Sequence, residues 1–174
     1  MSRSPLDVDD RIGSREFLRP LQRMGLPARA RRLAFADFAF HGHGPRGAVR
    51  VGIERKTVSE IFGAITDSRF VGHQLPGLLL AYDYVVLVVE GPARVDPHSG
   101  LLMLGRHEAG FSRVRTMFTT YRKFLTTLAI KGRIVVEPTY GFTETQWVIA
   151  AVDEWWQAAW ASHQSAYHVE ESQI

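Results

Sequence analysis

The 174-residue sequence contains no cysteine. That excludes a disulfide framework and any zinc site built on thiolates, leaving carboxylates, carbonyls, histidines and water as the only ligands for a metal. It also lacks a long apolar run. The longest stretch, Leu75 to Val89, is broken by Pro76 and Asp83, and the opening MSRSPLDVDD has no apolar h-region, so neither a membrane span nor a signal peptide is expected. The reading is a soluble, cytoplasmic protein. Internal repeats, low-complexity blocks and linkers are missing as well. Lysine is scarce, since 18 of the 21 basic residues are arginine, a choice that suits bidentate phosphate contacts and follows equally from a GC-rich genome.

The chain is 45% apolar, 22% charged and 11% aromatic, the profile of a single globular domain. Its charge is unevenly placed. Residues 1–56 hold 12 basic and 6 acidic groups, net +6, whereas residues 57–174 are net −3, so the first third is the candidate polyanion surface.

The apolar periodicity predicts a short strand at Leu6 to Asp9 and a helix that opens at Ser14 as N-cap and closes at Gly25. Two strand segments follow, at 28–40 and 48–55, joined by the turn His41-Gly42-His43-Gly44-Pro45-Arg46-Gly47. Helices are expected from Thr57 and over 68–82, and the β-branched run Val85 to Val89 reads as a buried strand. Residues 91–110, rich in glycine, proline and histidine, read as a long loop before a helix at 112–130 and a strand at 134–136. A last helix starts near Thr143, with Gln146 completing a capping box and Val148, Ala151, Val152 and Trp155 along one face. The tail from residue 163 is polar. The fold class is α/β, with helices around a mixed sheet.

Chemistry concentrates in Val49-Arg50-Val51-Gly52-Ile53-Glu54-Arg55-Lys56. A period of two turns Glu54 and Lys56 to one face, and Asp37, on the preceding hairpin strand, brings a second carboxylate to the same edge. Two carboxylates suit a hard cation such as Mg²⁺ that polarises a scissile phosphate and acidifies a water, while the lysine orients that water or stabilises developing charge. Phosphodiester hydrolysis is the natural reading of this D…ExK arrangement. On its own, ExK also occurs on ordinary solvated strands.

The wider text narrows the choice. Ala36-Asp37-Phe38, Glu54-Arg55-Lys56-Thr57-Val58-Ser59-Glu60, Asp67-Ser68-Arg69-Phe70 with Gln74, and a buried strand ending in Glu90-Gly91 resemble, in order and spacing, the nuclease domain of the ERCC4 (XPF/Hef-like) structure-selective endonucleases. Val8-Asp9-Asp10-Arg11 resembles that family's first block, and Gly132 to Val136 with Thr143-Glu144-Thr145 its closing strand and helix. The resemblance implies a restriction-endonuclease-like PD-(D/E)xK core over residues 1–162 and a Mg²⁺- or Mn²⁺-dependent endonuclease. It implies metal ligation by Asp37 and Glu54, with Asp9 a further acidic participant, catalysis by Lys56, and a phosphate-positioning role for Arg55. Arg11, Glu60, Arg69 and Gln74 take supporting or DNA-contacting roles. Branched, flapped or forked DNA is the implied partner, and pairing into a homodimer is implied through helices. Nothing after residue 145 offers the helix-hairpin-helix module that many members append, and the compact form resembles stand-alone bacterial and phage versions. The alternative is a non-catalytic scaffold subunit, which would be expected to have lost part of the acidic site.

Three departures stand out. Ile12 occupies the place of a family glutamate, for which Glu16 could substitute. Ala36 replaces the glycine before Asp37, which is harmless unless that residue needs positive φ. Glu60 replaces an aspartate and has two readings, a cap for the helix opening at Thr57 or a catalytic partner. His41 and His43 read as a hairpin tip or a metal pair, Arg29, Arg31 and Arg32 as a solvated face or a phosphate stripe, and Trp155, Trp156 and Trp160 as packing residues or base-stacking ones.

Overall fold

The computed structural model describes residues 3–67, 72, 74–106 and 110–163. Its centre is a six-stranded mixed sheet in the order β2-β1-β3-β4-β5-β9. These strands are β1 (Leu6–Asp9), β2 (Ala28–Arg31), β3 (Phe38–Gly44), β4 (Gly47–Thr57), β5 (Tyr84–Glu90) and β9 (Val135–Thr139). A second sheet pairs β6 (Ala93–Val95), β7 (Leu101–Arg106) and β8 (Gly110–Met117) in antiparallel fashion. The helices are α1 (Leu18–Arg23, entered through a 3₁₀ turn at Arg15–Phe17), α2 (Val58–Asp67), α3 (Leu75–Ala81), α4 (Phe118–Gly132) and α5 (Phe142–Gln157).

The alternation of each strand splits the core in two. Ala39, Val85, Leu87 and Val89 face α2, α3 and α4, where Ile61, Leu78 and Leu125 close the layer. Leu6, Val8, Phe38, Val51, Ile53, Val86 and Val88 face the opposite way, onto Phe17, Leu21 of α1 and Ile149 of α5. β5 is buried on both faces, as its unbroken β-branched run predicts. Because β1, β2, β4, β5 and β9 run in one direction and β3 against them, the carboxyl ends of five strands and the amino end of β3 share one end of the sheet. Among the described residues no helix is long and apolar enough to cross a membrane.

Several expectations are corrected. Segment 28–40 is two strands, because β2 leaves β1 at Arg31 and the chain crosses over before β3 begins at Phe38. His41 and His43 therefore lie within β3, paired with Arg50 and Ala48, and the turn is confined to Pro45 and Arg46. The loop expected over 91–110 holds β6, β7 and the first residue of β8, with Gly91, Pro92 and Gly100 between the strands; residues 107–109 lie outside the described residues. The helix expected from 112 starts at Phe118, after β8. Ser14 and Thr143 cap no helix; Glu144 instead accepts the Tyr140 N–H. The buried stripe of α5 is Thr145, Ile149, Asp153 and Trp156, one position along from the expected face. Part of the helix expected over 68–82 falls outside the described residues, and α3 supplies its second half.

Gly52, in the middle of β4, lies under the Tyr82 ring, where an added Cβ would sit 2.5 Å from Cδ2. Tyr82 cannot easily retreat, since its hydroxyl donates to the Phe35 carbonyl at 2.6 Å. Gly52→Ala is accordingly expected to cost roughly 1–3 kcal/mol through overpacking, read as a Tm lowered by several degrees; an unchanged melting curve would show that the ring is free to move.

Candidate active site

Strand period and register together decide which side chains meet. Asp7, Ala39, Gly52 and Val85 form one cross-strand row through β1, β3, β4 and β5. Two residues onward, the same face carries Asp9, Asp37 and Glu54. The backbone holds this second row in place: Asp9 N–H donates to the Asp37 carbonyl at 2.8 Å, and Asp37 N–H to the Ile53 carbonyl at 2.9 Å. Lys56 follows on the same face of β4. An open cavity of about 760 Å³ is lined by Asp9, Arg11, Asp37, Glu54, Arg55, Lys56, Glu60 and Gln74. Arg69 lies outside the described residues.

Glu54 is 3% exposed. Its Oε1 is 2.9 Å from Lys56 Nζ and accepts a hydrogen bond from Gln74 Nε2 at 2.5 Å. No hydrogen bond among the described residues takes Oε2. Burial, followed by the charge of Asp37, pushes the Glu54 carboxyl up to about 7, with Lys56 offsetting part of the shift. Two carboxylates crowded in this way are short of positive charge.

Asp37 sits in a cradle. Ser14 Oγ donates to Oδ1 and the Arg55 backbone N–H to Oδ2, the latter at 2.7 Å. The residue that delivers it, Ala36, has φ +71°, so this position does require the left-handed backbone that glycine adopts freely, at a strain of about 1–3 kcal/mol for a residue with a Cβ. Ser14 escaped the sequence reading because a serine ahead of a helix reads as a cap; its burial is the clue to its other use.

The supporting residues divide by what they touch. Asp9 has both oxygens engaged, Oδ2 by Arg11 and Oδ1 by the Leu33 N–H at 3.0 Å, and Arg11 also reaches the Leu33 carbonyl at 2.9 Å. The hydrogen bond to Asp9 holds the Arg11 guanidinium above its ordinary range, with the charges of Asp9, Asp37 and Glu54 adding to it. Glu60 forms the reciprocal cap: its Oε2 accepts the Thr57 N–H and hydroxyl, both at 2.8 Å, and its own N–H donates to Thr57 Oγ1 at 3.2 Å. Arg55 differs from expectation in direction. Being odd in the alternation, its guanidinium lies across the sheet from Glu54 and Lys56, forked onto Glu90 and set 5.4 Å from the Phe17 ring centroid. Glu90 in turn accepts the Thr145 hydroxyl at 2.7 Å.

Comparison with family models and with curated protein sequences returns no match. Comparison of folds does. XPF from Aeropyrum pernix in complex with DNA superposes with a TM-score of 0.64 at 20% sequence identity, over 88% of this chain and 64% of that one. XPF from the same organism gives 0.63 at 19% identity, over 87% and 64%. The chain has the XPF fold. It spans 64% of the length of those XPF chains, and its central mixed sheet flanked by helices is the restriction-endonuclease-like architecture that the resemblance implied.

Within this XPF fold, Ile12 stands on the cavity rim, 97% exposed, and Glu16 is not among the residues lining it. No group of three or more His, Asp or Glu side chains placed to hold a metal occurs among the described residues. Asp9, Asp37, Glu54 and Glu60 all line the cavity, and the adjacent pair Asp37 and Glu54 fits a hard cation such as Mg²⁺, which keeps several of its own waters and takes one or two carboxylates plus substrate oxygens. His41 and His43 have no third ligand nearby among the described residues. Arg29 and Arg31 both bind Asp7, at 2.5 and 2.9 Å, and Arg32 binds Asp10 at 2.9 Å, so the basic stripe of β2 is matched by acids. Trp156 packs on Tyr84 with centroids 4.5 Å apart, and Trp155 and Trp160 pack edge-on against each other at 5.7 Å. Beside them an apolar groove of about 420 Å³ runs between β9 and α5, lined by Val135, Val148, Val152 and Trp155.

Glu54 ties stability to pH. Its carboxyl moves from an ordinary 4.5 to about 7 on folding, so in that window the native state holds a proton that the unfolded chain has released. Metal-free protein is therefore expected to lose stability as pH rises from about 4.5 to 7, by about 3 kcal/mol for that shift. Glu54→Gln should flatten the dependence. Thermal melts across the window check this, and an equally steep profile in the variant would assign the effect to other groups.

Proposed function

We propose that the chain is a Mg²⁺- or Mn²⁺-dependent DNA endonuclease that hydrolyses phosphodiester bonds at branched, flapped or forked DNA, in repair, recombination or replication. The observation that carries this reading is the placement of Asp37 and Glu54 in one row, with Lys56 2.9 Å from Glu54, in an open cavity at the strand ends of an XPF fold. The DNA complex formed by XPF from Aeropyrum pernix supports the choice of substrate.

In this reading Asp37 and Glu54 would hold a divalent cation, which when bound would supply Lewis-acid polarisation of a phosphate oxygen and of a water. Lys56 orients the attacking water and stabilises the negative charge that develops on the phosphate, in a cleft where that charge is poorly screened. Gln74 and Lys56 together fix the Glu54 carboxylate. Asp9, with both oxygens engaged, anchors Arg11 at the cavity wall, and Arg11 adds positive potential beside the carboxylates. Arg55 acts through its backbone N–H, which aims Asp37. Pairing of two copies belongs to the groove between β9 and α5, where Trp155 and Val135 expose apolar surface.

Cleavage of a labelled panel of single strand, duplex, flap, fork and four-way junction, with Mg²⁺, Mn²⁺ or EDTA, tests the activity. Lys56→Ala and Asp37→Ala should lower the rate by roughly 10²–10³-fold or more while the protein melts normally and still binds DNA. A fully active Lys56→Ala protein would sink the mechanism, and DNA bound but uncut under every metal would point to the scaffold instead. Sedimentation tests the pairing: the unsubstituted chain should run as a dimer and Trp155→Glu as a monomer.

A further inference from the structure

We infer that the outer face of the β6–β7–β8 sheet is a second DNA-contacting surface, one that grips the phosphate backbone of duplex beside the cavity. This rests on the nuclease reading and adds to it an element outside the carboxylate–lysine site. The register places Arg94, Met103 and Arg113 in one cross-strand row, with Phe111 opposite Gly105 further along the same face. Arg115, two residues past Arg113 where the β7–β8 register shifts, is exposed as well. The alternate residues Leu102, Leu104 and Val114 turn inward onto the core formed with α2 and α4. One side of this small sheet is thus spent on packing and the other on guanidinium groups.

The outward side is unusual in its charge. A solvated sheet face ordinarily mixes signs, and residues 57–174 are net acidic, yet the exposed charges described on this face are Arg94, Arg113 and Arg115, with the buried Asp96 paired to Arg113. Asp96, the acid of this sheet among the described residues, is buried, and accepts the His98 N–H at 3.0 Å with Arg113 Nε 2.8 Å away. Arg94 lies over the Phe111 ring at 4.3 Å, a contact that pre-orients its planar group. Arg115 has no ion-pair partner among the described residues. Three arginines on a firm platform match a polyanion with regularly spaced phosphates, and guanidinium forks pair with phosphate oxygens bidentately.

Position selects DNA as that polyanion. β6 leaves directly from the carboxyl end of β5, the end of the sheet where Asp9, Asp37 and Glu54 gather. Gly91 N–H donates to the Thr139 carbonyl at 2.8 Å and Gly105 N–H to the Pro92 carbonyl at 2.9 Å, which fastens the small sheet to that end. One duplex reaching the cavity can therefore also meet this face.

The test uses the full chain in EDTA, with fluorescence anisotropy of a labelled fork measured across a salt series. Arg94→Gln/Arg113→Gln/Arg115→Gln should weaken binding about tenfold or more and make the slope of log K against log salt shallower by about 2–3, close to one per lost phosphate contact. Arg94→Gln/Arg115→Gln, which spares the Arg113–Asp96 contact, should show about two thirds of that slope change with an unaltered melt, and Arg94→Lys/Arg115→Lys should keep the slope. Unchanged affinity and slope in the triple variant would overturn this inference while leaving the nuclease reading intact. Failure of the unsubstituted chain to bind any DNA would overturn both.

Discussion

The rest of the site depends on the burial of Glu54 in the central strand, in the same row as Asp37. A carboxylate taken out of water beside another carboxylate is costly unless positive charge comes with it. Lys56 and Gln74 supply part of the compensation on one oxygen, and the remainder appears as a carboxyl held up at about 7. The same deficit that makes the metal-free row electrostatically unfavourable makes it receptive to a divalent cation. In the nuclease reading, function and instability share one origin here, as is common where preorganised charge serves chemistry.

The opposite face of the sheet shows what holds that row still. Arg55 shares its backbone with the site and its guanidinium with Glu90, which binds Thr145 on α5, and Thr145 meets Thr139 at 2.7 Å. β4, β5, β9 and α5 are therefore joined by one buried polar network with its charges paired. A buried ion pair of this kind contributes little net stability, but removing either partner strands the other charge. The network fixes where the Arg55 N–H points, and through it where Asp37 points. Ala36 reaches its left-handed backbone within this frame, and the strain it stores is borne by the strands on either side.

Much of this was legible from residue spacing. The alternation through Glu54 and Lys56, the β-branched run of β5 and the Thr57–Glu60 cap each depend on near neighbours, and each took the form its spacing implies. What failed needed long-range information. The resemblance gives Arg55 a place near the phosphate, yet a single step along a strand puts its side chain on the other face from Glu54 and Lys56, and Glu90, 35 residues away, explains its position. The second sheet was hidden because its three strands are short and separated by glycine and proline, so that local composition looked like loop while pairing made sheet. α5 was read with its apolar side one position off because Asp153, buried and bound to Arg3, occupies the true stripe, and periodicity discounts an acid there.

Net charge alone says little about how this chain could handle a polyanion. Of its +3, part of the strongly basic first third is spent internally, since Arg11, Arg29, Arg31 and Arg32 all have aspartate partners. Surface pairs of this kind cancel most of the field they would otherwise project. Effective positive potential must come from guanidiniums whose acids are buried or missing, and the outer face of the second sheet meets that condition. In the proposed reading, Arg94 and Arg115 on the second sheet add positive potential that net charge along the sequence does not reveal, because residues 57–174 are net acidic.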